Sequence, residues 1–181
     1  MGVSQESAKV VYEALRAAGV RLVAALPESW LTPVIVLAQA DPDVTLVEVA
    51  KEEEAVGVAM GAHLAGTRAA VLMQNHGLLA SVNGIVSGAI LYRVPLLLMV
   101  SDRGHLGETD PWQTEGGRAT RPLLDALGIV WAELTRDEEV ERQVADAMVL
   151  AESSLAPVVL LLTRRLMCPG PGVSPEGDGG Q

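Results

Sequence analysis

The chain has 181 residues, 49% of them hydrophobic and 20% charged, with a mean hydropathy of +0.30; this is enough apolar surface for one buried core and excludes a disordered chain. Thirteen Lys and Arg stand against 23 Asp and Glu, for a net charge of −10, so neither a nucleic-acid backbone nor an anionic membrane is an expected partner. With no Phe, three Trp and two Tyr, base-stacking platforms are excluded and the core has to be aliphatic and closely packed.

Ser4 is placed to cap a helix whose apolar residues Val10, Val11, Leu15 and Ala18 share one stripe and which Gly19 stops. Arg21 to Leu26 reads as a buried strand, the turn Pro27-Glu28-Ser29 leads into a helix from Trp30 to Ala40, and Asp41-Pro42-Asp43 ends it before a strand from Val44 to Val47. The pattern then predicts a helix over 51–66, a strand from Thr67 to Met73, a helix from Leu78 to Tyr92 and a strand from Val94 to Val100. After a long loop over 101–117, helices near 119–127 and 137–153 alternate with strands near 129–132 and 157–162. The domain is expected to occupy 1–167, and the Pro/Gly-rich stretch 168–181 to form a mobile tail.

Alternating strands and helices, with strands apolar throughout, predict a three-layer, doubly wound, Rossmann-like α/β fold around a parallel sheet. Ligands of such sheets bind beyond the carboxyl ends of the strands, where strand order reverses. That directs attention to Pro27 to Trp30, Met73 to Gly77, Ser101 to Arg103, and the helix start at Lys51. The single cysteine, Cys168, forms no internal disulfide, the first residues MGVSQESAKVV lack the pattern of a secretory leader, and the longest apolar runs fall well short of a membrane span. A reducing, cytoplasmic location is expected.

Lys51-Glu52-Glu53-Glu54 puts three carboxylates on a first helical turn, where acidic residues complement the helix dipole by ~0.3–1 kcal/mol each. That reading is sufficient for Glu53 and Glu54. Gly57 and Gly61 follow on one face and Gly84 and Gly88 repeat the device in the next helix; each glycine costs about 1 kcal/mol of helix propensity relative to Ala. Both pairs point to close helix packing, inside the domain or across a subunit boundary.

Gln74-Asn75-His76-Gly77 follows a buried strand directly, so its amides and backbone reach the ligand crevice. His76 is either a general base or a hydrogen-bonding turn residue, whereas His63 and His105 read as structural or solvated. The segment from Arg103 to Asp110 is polar, glycine-bearing and long, which fits closure over a ligand as well as an ordinary surface loop. No Cys or His cluster has the spacing of a metal site, so no metal ligands are assigned.

Taken in order, KEEEAVGVAMGAHLAG (51–66), AAVLMQNHGLLASVNG (69–84), YRVPLLLMVSDRG (92–104), QTEGGR (113–118) and PLLDALGI (122–129) resemble the pyrimidine-binding (PYR) domain of thiamine diphosphate-dependent decarboxylases. Within that family the likeness is to the alpha subunit of the sulfopyruvate decarboxylases and the corresponding half of the phosphonopyruvate decarboxylases. It covers roughly residues 5–165, and the ordered set is more specific than any one motif.

The resemblance implies that Glu52, by its register with Gly57 and Gly61, hydrogen-bonds N1′ of the cofactor's aminopyrimidine and promotes the imino form that activates the thiazolium, the cofactor serving as electron sink for decarboxylation of a 2-oxo acid. Gln74, Asn75 and Gly77 match the family's cofactor-side turn, in which His76 replaces a serine; Pro27, Ser29, His76 and Gln113 fall on the substrate side. Leu79-Ala80 stands where the family has Gly-Asn, and the family's Pro-Gln-His becomes Pro111-Trp112-Gln113-Thr114. These departures imply a 2-oxo acid without a sulfonate or phosphonate, or transfer of the acyl unit to an acceptor, with His76 assisting protonation or ligation.

The resemblance also implies that this chain holds only half of the cofactor site. A separately encoded beta (PP-domain) subunit is expected to supply the Mg2+ and diphosphate site, in an α2β2 or larger assembly. Gly177-Asp178-Gly179 looks like the start of the family's metal-binding motif but has no preceding strand and no downstream Asn, and reads as tail composition. Two other readings are a noncatalytic PYR-like regulatory or scaffolding subunit, which retention of Glu52 opposes, and a nucleotide-binding Rossmann domain, which the absence of GxGxxG and of a P-loop opposes.

Overall fold

The computed structural model describes residues 2–169. The helices and strands alternate as α1 (Gln5–Ala17), β1 (Leu22–Ala25), α2 (Thr32–Ala40), β2 (Thr45–Glu48), α3 (Glu52–Leu64) and β3 (Ala69–Gln74). They continue as α4 (Asn75–Ala80), α5 (Val82–Gly84), a π-helical segment (Ile85–Ile90), β4 (Leu96–Ser101), α6 (Pro111–Leu127), β5 (Val130–Leu134), α7 (Asp137–Ser154), β6 (Pro157–Leu162) and α8 (Arg164–Met167).

The six strands form one sheet in the order β2-β1-β3-β4-β6-β5, and every pairing is parallel. The chain steps outward from β1 to β2, then returns across β1 to β3; strand order therefore reverses between β1 and β3, and ligands of such sheets bind above the carboxyl ends of the strands at that reversal. Side chains alternate between the two faces of each strand. Leu72, Leu97, Met99 and Leu160 pack with α1, α2 and α7, while Val71, Met73, Leu98 and Leu161 pack with α3, the π-helical segment and α6. Both faces are covered, which is why the strands are continuously apolar in sequence. This is the expected three-layer, doubly wound α/β fold. Among the described residues no helix is long and apolar enough to cross a membrane.

Ser4 caps α1 as expected, its Oγ accepting the Ser7 N–H at 3.1 Å, and Gly19 leaves the helix with φ of 82°, a conformation that suits glycine. The helix expected over Leu78–Tyr92 is instead broken into pieces and starts at Asn75, directly from the end of β3. Its last part widens to i→i+5 bonding, with Leu91 N–H donating to Val86 O and Val94 N–H to Ala89 O, where Gly84 and Gly88 lie against Glu53 and Met60 of α3. The loop expected over 101–117 ends at Asp110, because Pro111 is favourable at a helix start and Gly116-Gly117 is accommodated inside α6. Cys168, placed with the tail in the sequence reading, is buried in the core; residues 170–181, including Gly177-Asp178-Gly179, lie outside the described residues.

Candidate active site

Three consecutive glutamates at the start of α3 have three different tasks. Glu54 Oε2 accepts the N–H groups of Ala50 at 3.0 Å and Lys51 at 3.2 Å, closing the helix start. Glu53 accepts from Asn83 Nδ2 at 3.3 Å and lies against Gly84. Glu52 points the other way, onto the α4 turn, where a Cβ on Gly77 would stand 2.6 Å from its Cδ. Its half-buried carboxylate has no hydrogen bond or ion pair with any described residue. A carboxylate without a partner among the described residues, at the carboxyl end of the sheet, is free to engage a ligand.

The polar turn at the end of β3 lies on the same side of the sheet, against Glu52. Gln74 Oε1 accepts from Gln113 Nε2 at 3.4 Å, which links the end of β3 to the first turn of α6. Asn75 is fully buried and its Nδ2 donates to Arg103 O at 2.9 Å. Because a carbonyl can receive only the amide NH2, this bond fixes the Asn75 orientation. Asn75 Oδ1 and Gln113 Oε1 are buried without a hydrogen-bond partner among the described residues. The half-buried His76 ring lies on Gly116, where a Cβ would overlap it. Glu52, Gln74, Asn75, His76, Gly77 and Gln113 are thus brought together from α3, β3, α4 and α6.

Pro27 and Ser29 are exposed beyond the end of β1, and the residue between them turns inward. Glu28 Oε1 accepts the Leu31 N–H at 2.8 Å. Burial pushes its carboxyl up from its ordinary value, against the opposing pull of the backbone amides of Trp30 and Leu31 and of the Arg103 guanidinium. Arg103 stacks over Trp30 at 4.8 Å and is engaged by Glu108 at 2.8 Å and Asp110 at 2.9 Å. Beside it, Asp102 binds Arg121 at 2.7 Å and His105 at 2.8 Å. Reasoning from sequence marked Arg103 to Asp110 as a segment that could close over a ligand, but it gave no role to Glu28 or to the ion pairs that hold the strap. The available signals were a carboxylate at a strand end next to Trp30-Leu31, and Asp102-Arg103 at the end of a fully buried strand.

The family model for the thiamine pyrophosphate enzyme N-terminal TPP binding domain matches residues 5–118. The chain belongs to that family. The chain is 35% identical over 156 residues to the sulfopyruvate decarboxylase subunit alpha of Methanococcus maripaludis, with 86% of this chain and 93% of that one covered. To phosphonopyruvate decarboxylase of Streptomyces viridochromogenes it is 37% identical over 115 residues, covering 63% of this chain and 29% of that one. Among solved structures, it resembles the 2-oxoglutarate:ferredoxin oxidoreductase from Magnetococcus marinus with a TM-score of 0.69 at 19% identity, covering 92% of this chain and 31% of that one. At that identity the likeness is one of fold. Among the described residues of the TPP-binding domain, no group of three or more His, Cys, Asp or Glu side chains is placed to hold a metal ion.

Proposed function

We propose that the chain is the alpha (PYR) subunit of a two-subunit, thiamine diphosphate-dependent decarboxylase of 2-oxo acids. The observation that carries this reading is the Glu52 carboxylate, seated on Gly77 yet unpaired, within a family that binds thiamine pyrophosphate. The residues present fit the pyrimidine end of the cofactor: Glu52 would share a proton with N1′, donating it as the carboxyl and accepting once the ring holds it, Gln74 and Asn75 would supply amide groups, and Gly77 lets the backbone and Glu52 approach closely. When bound, the cofactor supplies the electron sink for the carbon–carbon bond that breaks as carbon dioxide leaves.

The chain's own residues do the rest of the work on this side. Glu52 holds a proton against the pyrimidine ring and stabilises the tautomer it needs. His76, with its ring fixed on Gly116, stands at the crevice to give or take a proton at the substrate-derived carbon. Gln113, Pro27 and Ser29 lie on the substrate side. His76, Leu79 and Ala80 in place of the family's serine, glycine and asparagine favour a 2-oxo acid without a sulfonate or phosphonate, or transfer of its acyl unit to an acceptor.

Magnesium and the diphosphate belong to a separately encoded beta (PP-domain) subunit, in an α2β2 or larger assembly. Support comes from the relatives named as alpha subunits and from the share of the longer phosphonopyruvate decarboxylase that this chain covers. The two glycine pairs divide the packing between them. Gly84 and Gly88 are filled from within the chain by Glu53 and Met60, whereas Cβ atoms on Gly57 and Gly61 would meet nothing within 4 Å. The exposed Gly57/Gly61 face of α3, which starts at Glu52, is the surface that receives the beta subunit.

Co-expression with the neighbouring gene product tests the proposal. Carbon dioxide release from pyruvate-like acids is expected only with both subunits and thiamine diphosphate. Tight binding of thiamine diphosphate by this chain alone as a monomer would refute the divided site, and an inert complex that holds the cofactor would leave a scaffolding subunit.

A further inference from the structure

Residues 102–110 form a strap from the end of β4 to the start of α6, and one carboxylate organises it. Glu108, whose side chain is 3% exposed, accepts from Arg103 Nε at 2.8 Å and Nη2 at 3.0 Å. It also accepts the backbone N–H groups of Gly104 at 3.1 Å, Thr109 at 3.0 Å and Asp110 at 3.2 Å. Apolar burial does not hold this strap, since Leu106 at its tip is 99% exposed. The Arg103 guanidinium holds the Glu108 carboxyl down at about 2, so the pair is ionised throughout the neutral range.

Two structural lines lead from the strap to the half-site. Arg103 O receives Asn75 Nδ2 at 2.9 Å, which leaves Asn75 Oδ1 buried and unpartnered. Gly104 meets α6 backbone to backbone: a Cβ there would overlap Gln113 O, and one on Gly117 would lie 3.0 Å from Gly104 Cα. That contact sets α6, whose Gln113 reaches Gln74 and whose Gly116 carries the His76 ring. We propose that Glu108 is a positioning residue of the half-site: through Arg103 and the Gly104 contact it fixes the direction of the Asn75 carbonyl oxygen and the seat of His76. Its effect on turnover rests on the decarboxylase reading above; its effect on the geometry does not.

The test compares Glu108→Gln with Glu152→Gln, which breaks a second two-pronged pair, Arg68 to Glu152 at 2.6 and 2.8 Å, away from the site. In NMR spectra of the full chain, the His76 imidazole and Asn75 side-chain amide signals are expected to shift in Glu108→Gln and to stay in place in Glu152→Gln. In the complex with the beta subunit, kcat is expected to fall about 10- to 100-fold, the effect of a misplacement on the order of 1 Å, with KM little changed and part of kcat restored in Glu108→Asp. If Glu108→Gln does not fold, Glu108→Asp carries the NMR comparison. Unmoved His76 and Asn75 signals, or a loss of kcat matched by Glu152→Gln at the same interval below its own Tm, overturns the proposal. A native complex without thiamine diphosphate-dependent turnover counts against the decarboxylase reading alone, and the NMR comparison then decides for Glu108.

Discussion

Replacing Gly77 by Ala separates the site's chemistry from the fold's stability. A Cβ at position 77 would stand 2.5 Å from Glu52 Cγ and 2.6 Å from its Cδ, against a comfortable separation of roughly 3.5 Å. Something has to give by about 1 Å, and the surroundings decide what. Gly77 lies within α4, so Ala gains about 1 kcal/mol of helix propensity, and the unpaired Glu52 side chain can swing aside without breaking a hydrogen bond. The expected change in Tm is therefore small. For catalysis the same movement is costly, because a displacement of about 1 Å at a reacting group lowers the rate by about 100-fold, or about 2.7 kcal/mol of barrier. The assay is thiamine diphosphate-dependent carbon dioxide release by the complex with the beta subunit, alongside thermal unfolding of the same preparation. Unchanged kcat and unchanged cofactor affinity in Gly77→Ala would show that Glu52 does not work from its seat on Gly77.

The two glycine pairs are expected to differ in what they do to the interface. Gly57→Ala and Gly61→Ala stabilise the isolated chain by up to about 1 kcal/mol each and weaken subunit association, whereas Gly88→Ala, where only the flexible end of Met60 has to turn away from the new Cβ, leaves association unchanged; thermal unfolding and sedimentation measure both, and unweakened association in Gly57→Ala and Gly61→Ala removes α3 from the interface. Burial raises the Glu28 carboxyl in the folded chain, so its favourable contribution is complete below the unfolded value of about 4.3 and is lost as pH rises through the raised folded value. Glu28→Gln is therefore expected to raise Tm at pH 8 and to do little at pH 4, and an equal shift at both pH values would contradict a raised carboxyl.

Much of the fold was legible because both faces of the sheet are covered: strands such as β4 and β6 are apolar at nearly every position, and their periodicity leaves little choice. The start of α6 was not, because Gly116-Gly117 resembles a loop until His76 and Gly104 are seen to require the missing side chains. Glu52 could be told from Glu53 and Glu54 only through resemblance; in three dimensions the difference is physical, since Gly84 takes Glu53, the helix start takes Glu54, and Gly77 receives Glu52. Glu28 was hidden between Pro27 and Ser29 because turn chemistry explains a Pro-Glu-Ser sequence without any burial. Its surroundings are Leu31, whose N–H it accepts, and Arg103, which stacks on Trp30, residues supplied by two different parts of the chain.

The most direct measurement is the turnover of a complex carrying Glu52→Gln. Glutamine keeps the size of the side chain and the contact with Gly77 but cannot give up a proton to N1′ and take it back. Assembly with the beta subunit and Tm are expected to be unchanged, while thiamine diphosphate-dependent carbon dioxide release falls by about 10²- to 10⁴-fold, the usual contribution of a positioned proton-transfer group. A Glu52→Gln complex that turns over at the native rate would contradict the assignment of this chain as the pyrimidine half of the site.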